Sequence, residues 1–559
     1  MSVPIDYVYL LTGEIAEENL KLLVKSYDFL RVITAPVSVA SFITKNQVLS
    51  LVEEKPKLKH GVIILPGMVK WDVNTFGNDH ELNIIGGPRN INKIKNLGKK
   101  LQKIIDSGTK LTLKTVFDTI ASLRVSNREK RMDYFNIIKE RKELFTRIKN
   151  IDDESLSMIN DLNFDVNINL EKLFTRPYRN FIIPKSEIFV GKDFPPALMA
   201  EIINAPEKEY QELKQQISYF LKSGADIIDI GTSPGKVQGE RIEEIFKFIK
   251  DEFPEVITSI DSLEEKEIFA AIENGARCIL SIDLGNREIL SSLDKDLVLV
   301  LIPTNMKQGY FPASPTKRVE KLKSLIDAVQ EEGFSNLLVD PILNSPINPG
   351  IVQALESFIL YNQLEGEKWD IPFFIGGSNV SEMIDSASTG VNAMLATIGI
   401  ELGAGMLFTT EDSAKCLGST KEFREVRHMV FNAKIHHTYP KQTGFSTFNI
   451  KQEKSVLPSF YYSPDQAVKV NIKNEKYQKD PSSVYFKIMV DHYRDLIIVG
   501  GFQDDELIRV YEGVNAKTLG KKILADYPKL TREHVLYLGR ELATAELHLK
   551  HHAVYIQDE

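Results

Sequence analysis

Between residues 197 and 410 an acid or an amide follows one apolar run after another. The residues are Asn204 in AEIINAP, Asp229 in DIIDIGTSPG with Thr232 behind it, Asp261 in SIDS, Asp283 in SIDLGN, Asp340 and Asn344 in VDPILNS, and Ser378 and Asn379 in PFFIGGSNVSE. A lone Asp behind a strand usually caps a helix or builds a turn. A series of them, one per strand, builds a binding mouth if the strands converge. Carboxylates and carboxamides with no Lys or Arg beside most of them suit a ligand rich in hydrogen-bond donors, whereas a phosphate calls for cations or helix N-termini. Lys236 and Arg241, in the loop behind Asp229, are cations that such a mouth could recruit. Gly376 and Gly377 are expected to let backbone and ligand approach closely ahead of Ser378.

A pterin fits that description. Its 2-amino group and the adjacent ring N–H form a planar donor pair that one carboxylate accepts in fork geometry, and Asn or a further Asp serves the remaining edge. Clustered carboxylates also bind magnesium. The amides, and the lack of His among these residues, favour the organic ring, so no metal-ligand set is assigned.

The acids converge only if the runs before them are strands of one barrel. Eight such runs, at 197–203, 226–230, 256–260, 277–282, 297–302, 336–340, 372–376 and 404–409, alternate with stretches such as EYQELKQQISYFLKSG, GERIEEIFKFIKDEF, LEEKEIFAAIENG and KRVEKLKSLIDAVQEEG. These have the 3.6-residue apolar stripe of outer helices, and three end in a capping Gly. Eight strands and intervening helices predict a (β/α)8 barrel with its ligand at the C-terminal strand ends; a doubly wound open sheet is the alternative. The fold class is therefore α/β, a central barrel at 181–437 flanked by an N-terminal α/β domain at 1–125, a helical connector at 126–180 and a C-terminal α+β domain at 438–559. The N-terminal loops TGE (12–14) and GGPRN (86–90) lack Gly-rich phosphate spacing and read as structural. The charged stretch 126–154 reads as a solvated helix. His534, His548, His551 and His552 near the C-terminus lack the carboxylate or cysteine that would complete a recognised metal spacing.

Composition narrows the class of protein. Of 559 residues 43% are hydrophobic and 26% charged, as in soluble globular chains of several domains. A net charge of -8 argues against nucleic acid or an anionic membrane surface as partner. Cys278 and Cys416 are the only cysteines, which fits a reducing, cytoplasmic setting, and MSVPIDYVYLLTGE lacks the basic start of a signal peptide. GVNAMLATIGIELGAGMLF approaches membrane-spanning length, yet its Asn392, Glu401 and glycines make it a buried helix followed by a strand.

LMAEIINAP, GADIIDIGTSPG, VITSIDS and VDPIL resemble the pterin-binding barrel superfamily of dihydropteroate synthases and methyltetrahydrofolate methyltransferases, over roughly residues 195–425. With YLGRELATAELHLK and the N-terminal domain, the whole chain resembles the archaeal dihydropteroate synthase-related proteins. The resemblance implies pterin contacts from Asp261 and Asp340, while Asp283 lies near a position where relatives use Asn. A synthase carries Asn-x-Thr-Pro-Asp-Ser-Phe after strand one, Ser-Arg-Lys after strand seven and Arg-x-His after strand eight, for the pyrophosphate and the aminobenzoate. This chain has NAPEKEY, GGSNVSE and LFTTEDS there. AEIIN is instead similar to the Gly-Glu-Arg-x-Asn opening of the methyltransferase barrels, and SNVS to their strand-seven motif, whose Asn contacts N5 of the pterin.

That resemblance implies a transferase moving a methyl or other one-carbon group from a reduced pterin of the tetrahydrofolate or tetrahydromethanopterin type. Asn379 is the expected N5 contact, with Asp261, Asp340 and Asp229 orienting the ring and Asn204, Asp283, Asn344 and Ser378 around it. The acceptor would come from outside the chain, as a corrinoid on a partner protein or a thiol, and barrels of this kind suggest a homodimer. The alternatives are a synthase-like, magnesium-dependent condensation of a dihydropterin diphosphate with an arylamine, a non-catalytic pterin-binding scaffold, and a barrel with an unrelated acidic metal site.

Overall fold

The computed structural model describes residues 4–67, 69, 71, 73–88, 93–122, 127–148, 176–233, 235–447 and 483–557. Residues 149–175 of the expected connector, and Arg89 and Asn90 of GGPRN, lie outside them. The chain divides into two compact units, Met1–Asp133 and Tyr134–Glu559.

The first unit is a parallel sheet of β1 (Val8–Thr12), β2 (Leu30–Thr34), β3 (Val62–Leu65) and β4 (Ile84–Gly86) in the order β2-β1-β3-β4. Apolar clusters cover both faces, one around Leu10, Leu97 and Leu101 and the other around Leu11, Leu51 and Leu65. The helix Glu14–Val24 opens directly behind β1, but its first amides are already taken: Glu14 N–H donates to Val37 O at 2.9 Å and Ile15 N–H to Ser38 O at 3.1 Å. The TGE loop thus holds backbone.

In the second unit the hairpin β5 (Asn180–Ile182) and β6 (Phe189–Gly191) precedes a closed parallel barrel. Its strands are β7 (Ala197–Ile202), β8 (Ile227–Gly231), β9 (Ile257–Asp261), β10 (Cys278–Ile282), β11 (Val298–Leu301), β12 (Leu337–Val339), β13 (Phe373–Gly376) and β14 (Ala404–Thr409). Each boundary falls within one residue of the apolar run that predicts it. Residues alternate across the barrel wall, as period two requires. Leu198, Ala200, Ile228 and Ile260 face the outer helices, while Ala197, Met199, Ile227, Cys278, Leu280, Val298, Val300, Leu338, Phe374 and Met406 fill the interior. Phe181, Ile183 and Val190 of the hairpin join that interior cluster and stop the barrel at its N-terminal end.

The charged helix Asn127–Ile148 is less solvated than its sequence predicts. Tyr134, Ile138, Arg141 and Leu144 are buried, Tyr134 Oη lies 3.0 Å from His428 Nδ1, and Arg141 donates to Asp193 O at 3.0 Å. The long apolar stretch forms the helix Ser388–Leu402 and then β14, and among the described residues no helix is long and apolar enough to cross a membrane. The C-terminal module is an antiparallel sheet, β15 (Val484–Asp491), β16 (Leu496–Gln503) and β17 (Glu506–Gly513), backed by the helices Ala516–Asp526 and Arg532–His551.

Candidate functional site

Following each inward face toward the C-terminal strand ends shows where the interior changes character. On β7 the sequence Ala197, Met199 leads to Glu201; on β8 Ile227 leads to Asp229 and Gly231; on β9 Ile257 leads to Ser259 and Asp261; on β12 Leu338 leads to Asp340. The lower layers are apolar and the top layer is acidic. Strand register then brings three of these acids together, since Glu201 pairs with Asp229, Asp229 with Ser259, and Gly231 with Asp261. A Cβ on Gly231 would stand 2.2 Å from Glu201 Oε1. The missing side chain is what lets Glu201 rise alongside Asp261.

Carboxyl oxygens of Glu201, Asp229 and Asp261 lie within 4.8 Å of one another, the only such trio of candidate metal ligands among the described residues. Ser259 Oγ donates to Asp229 Oδ1, whereas Asp229 Oδ2 is buried and receives no hydrogen bond. Burial pushes Asp261 up to about 6. Burial first, and then the neighbouring acids, drive Glu201 and Asp229 well above the usual carboxylate range. Glu201 also feels Glu382 and Asp412. Two full charges at 4.8 Å repel by about 3 kcal/mol at an effective dielectric of about 20, so the trio is held ionised only with a cation or a donor-rich ligand against it.

Asp340 stands alone behind β12. Its Oδ1 accepts from the Ile342 amide at 2.7 Å, and burial pushes its carboxyl up to about 7 against the weaker pull of that amide and of Arg318. Arg318 is itself buried and fixes the loop. Nε donates to Pro312 O, Nη1 to Pro341 O and Ile342 O, and Nη2 to Asn344 Oδ1. Asn344 is thereby engaged, since its Nδ2 also donates to Gly350 O at 3.1 Å.

Three other expected residues serve the loops. Asp283 accepts from Gly285 and Asn286 amides at one oxygen and from Thr304 Oγ1 and the Met306 amide at the other. Ser378 Oγ accepts from Thr410 N–H, and Asn204, in the left-handed region at φ 51°, accepts from Ser233 Oγ. Asn379 differs. It is exposed at the start of the short helix Ser378–Ser381, its Nδ2 donates to Leu343 O at 3.0 Å, and its Oδ1 has no partner among the described residues. Gly377 leaves room for the Phe423 ring, 2.6 Å from where its Cβ would be, so core packing by itself requires a glycine there. Lys236 pairs with Glu207, and Arg241 is spent on Glu244 and the carbonyls of Pro206 and Lys208.

Glu201 and Arg318 are the residues the sequence reading missed, and both had a signal. Glu201 shares the period-two face of Ala197 and Met199, and Arg318 sits on the apolar stripe of Leu322, Leu325 and Val329. A charge on a buried stripe has a partner or a task.

Residues 204–407 match the profile of the family described as pterin binding enzyme, and residues 479–558 match one described as PterinBD-DUF4346. An uncharacterized protein of Methanocaldococcus jannaschii is 30% identical over 561 residues, 99% of this chain and 98% of that protein. Among solved structures, Yersinia pestis dihydropteroate synthase with a pterine-sulfa conjugate is 18% identical, covering 46% of this chain and 99% of its own with a TM-score of 0.36. A dihydropteroate synthase from Coxiella burnetii in complex with pteroic acid is 21% identical, covering 42% and 92%, with a TM-score of 0.33.

Proposed function

The chain belongs to the pterin-binding (β/α)8-barrel superfamily, and from that premise we propose that it is an enzyme transferring a methyl or other one-carbon group from a reduced pterin. The observation that carries this reading is Asn379, which reaches the mouth with a free amide oxygen where a synthase would carry cations. A reduced pterin bound there would supply the one-carbon group from N5.

The residues present fit such a ring. Asp340 and Asp261 offer acceptors for its donor pair. N5 is a poor leaving group unless protonated, so stabilisation of the protonated nitrogen in the transition state is worth more than tight ground-state binding. The Asn379 carboxamide accepts from a protonated nitrogen through Oδ1, while its Nδ2 stays anchored on Leu343 O. A Lys at the same place would oppose that protonation electrostatically. Neither cysteine is suited to accept the carbon: Cys278 and Cys416 are both buried, and burial pushes both thiols up. The acceptor therefore comes from outside, a corrinoid carried by a partner protein or a small thiol. Displacement of pyrophosphate is the poorer fit, because Lys236 and Arg241 are occupied.

The test is titration with methylated and unmethylated reduced pterins, together with single-turnover methyl transfer to a free corrinoid. Asn379→Ala is expected to cut transfer by at least a hundredfold while pterin affinity changes less than about threefold. Unchanged transfer sinks the assignment of Asn379. Magnesium-dependent pyrophosphate release from a dihydropterin diphosphate would move the chain to condensation, and tight pterin binding with no product would make it a scaffold.

A further inference from the structure

We propose that Glu201, Asp229 and Asp261 form a site for one hard divalent cation on the floor of the barrel mouth. Three adjacent strands deliver the acids to one point, in register and on one face. The ligand set is all oxygen, which selects Mg2+, Mn2+ or Ca2+ over softer metals. Opposite ligands of such ions stand about 4 Å apart across Mg2+ and about 5 Å across Ca2+, and the three carboxyls fall within 4.8 Å.

A second observation points the same way. Asp229 is fully buried, and its Oδ2 has no hydrogen-bond partner although Oδ1 is held by Ser259. A bare carboxylate oxygen there lacks a donor, and a protonated one would be a buried O–H lacking an acceptor; a metal ion satisfies it. Gly231 contributes by omission, since any Cβ would displace the Glu201 carboxyl from the trio. Glu201 and Asp261 are only half-buried, which leaves the point reachable from the mouth.

Metal binding is measured without pterin, so it stands or falls apart from the pterin assignment. Full-length protein stripped with chelator and titrated with Mn2+, followed by the paramagnetic resonance of the free ion, is expected to take up one ion per chain, displaceable by Mg2+ or Ca2+. Asp229→Asn and Glu201→Gln should each weaken Mn2+ at least tenfold while the metal-free variants melt at or above the wild-type temperature. Wild-type protein that takes up no Mn2+ at millimolar concentration overturns the site, as does a folded Asp229→Asn that binds like wild type. If Asp229→Asn does not fold, Glu201→Gln, at a half-buried position, decides by the same criterion.

Discussion

Asp340 has one hydrogen bond among the described residues, from the Ile342 amide. Its protonation near neutrality ties ligand affinity to pH. Burial raises it from 3.8 to about 7, and accepting a donor pair requires the ionised form. Reduced-pterin affinity is thus expected to drop about tenfold from pH 8 to pH 6, and Asp340→Asn should weaken binding and flatten that profile. Isothermal titration across the range checks both. The sign for stability is opposite. Because the folded state holds this proton more tightly than the unfolded chain does, the carboxyl stabilises the empty protein progressively less as pH rises from about 4 to about 7.

The elements behind the mouth are set by side chains that never need to touch a ligand. Arg318 spans the loops behind β11 and β12 with four acceptors, three of them backbone carbonyls. Arg318→Ala leaves those acceptors unpaired and should cost about 3 kcal/mol in denaturant unfolding. Arg318→Lys should restore little, because one ammonium cannot replicate the planar fork. Pterin affinity is expected to fall in both variants; its pH midpoint should rise in Arg318→Ala, which removes the guanidinium's pull on Asp340, and hold in Arg318→Lys, which keeps a cation there, so that a fall in the Lys variant at an unchanged midpoint marks a positioning role. The barrel itself was legible because each strand is an apolar run followed by a small polar cluster, a local pattern. Glu201 and Gly231 were harder to read, since what joins them is a register between β7 and β8 that no local pattern specifies. Asp283 and Ser378 look like binding residues in sequence, and the fold gives both of them loop partners: Gly285 in its own loop and Thr304 behind β11 for Asp283, and Thr410 behind β14 for Ser378.

Across the whole second unit, acids at the two ends of the barrel meet opposite fates. At the hairpin end Asp370 is ion-paired with Arg176, Arg179 and Lys192, Asp193 with Arg179, and Asp226 with Arg427. At the mouth Glu201, Asp229 and Asp261 make no ion pair among the described residues, and Asp340 feels the weak pull of Arg318. Burial would raise Asp370, but Lys192 and Arg179 outweigh it and hold the carboxyl at about 2. Since that value lies below the unfolded 3.8, the contribution is fully present above pH 4 and is lost as pH falls toward 2. Asp370→Asn leaves buried cations uncompensated and should cost about 3 kcal/mol at neutral pH, read as a lower urea midpoint, with the gap to wild type closing in acid.

The hairpin that stops the barrel with Phe181, Ile183 and Val190 also has a bearing on traffic. A vessel corked at one end fills and empties through the other. In the transfer proposed above, donor and spent pterin would share one doorway with whatever takes the carbon, and both cysteines are buried away from it. On that reading the acceptor would have to arrive while the donor is still seated, an order of events set by the architecture.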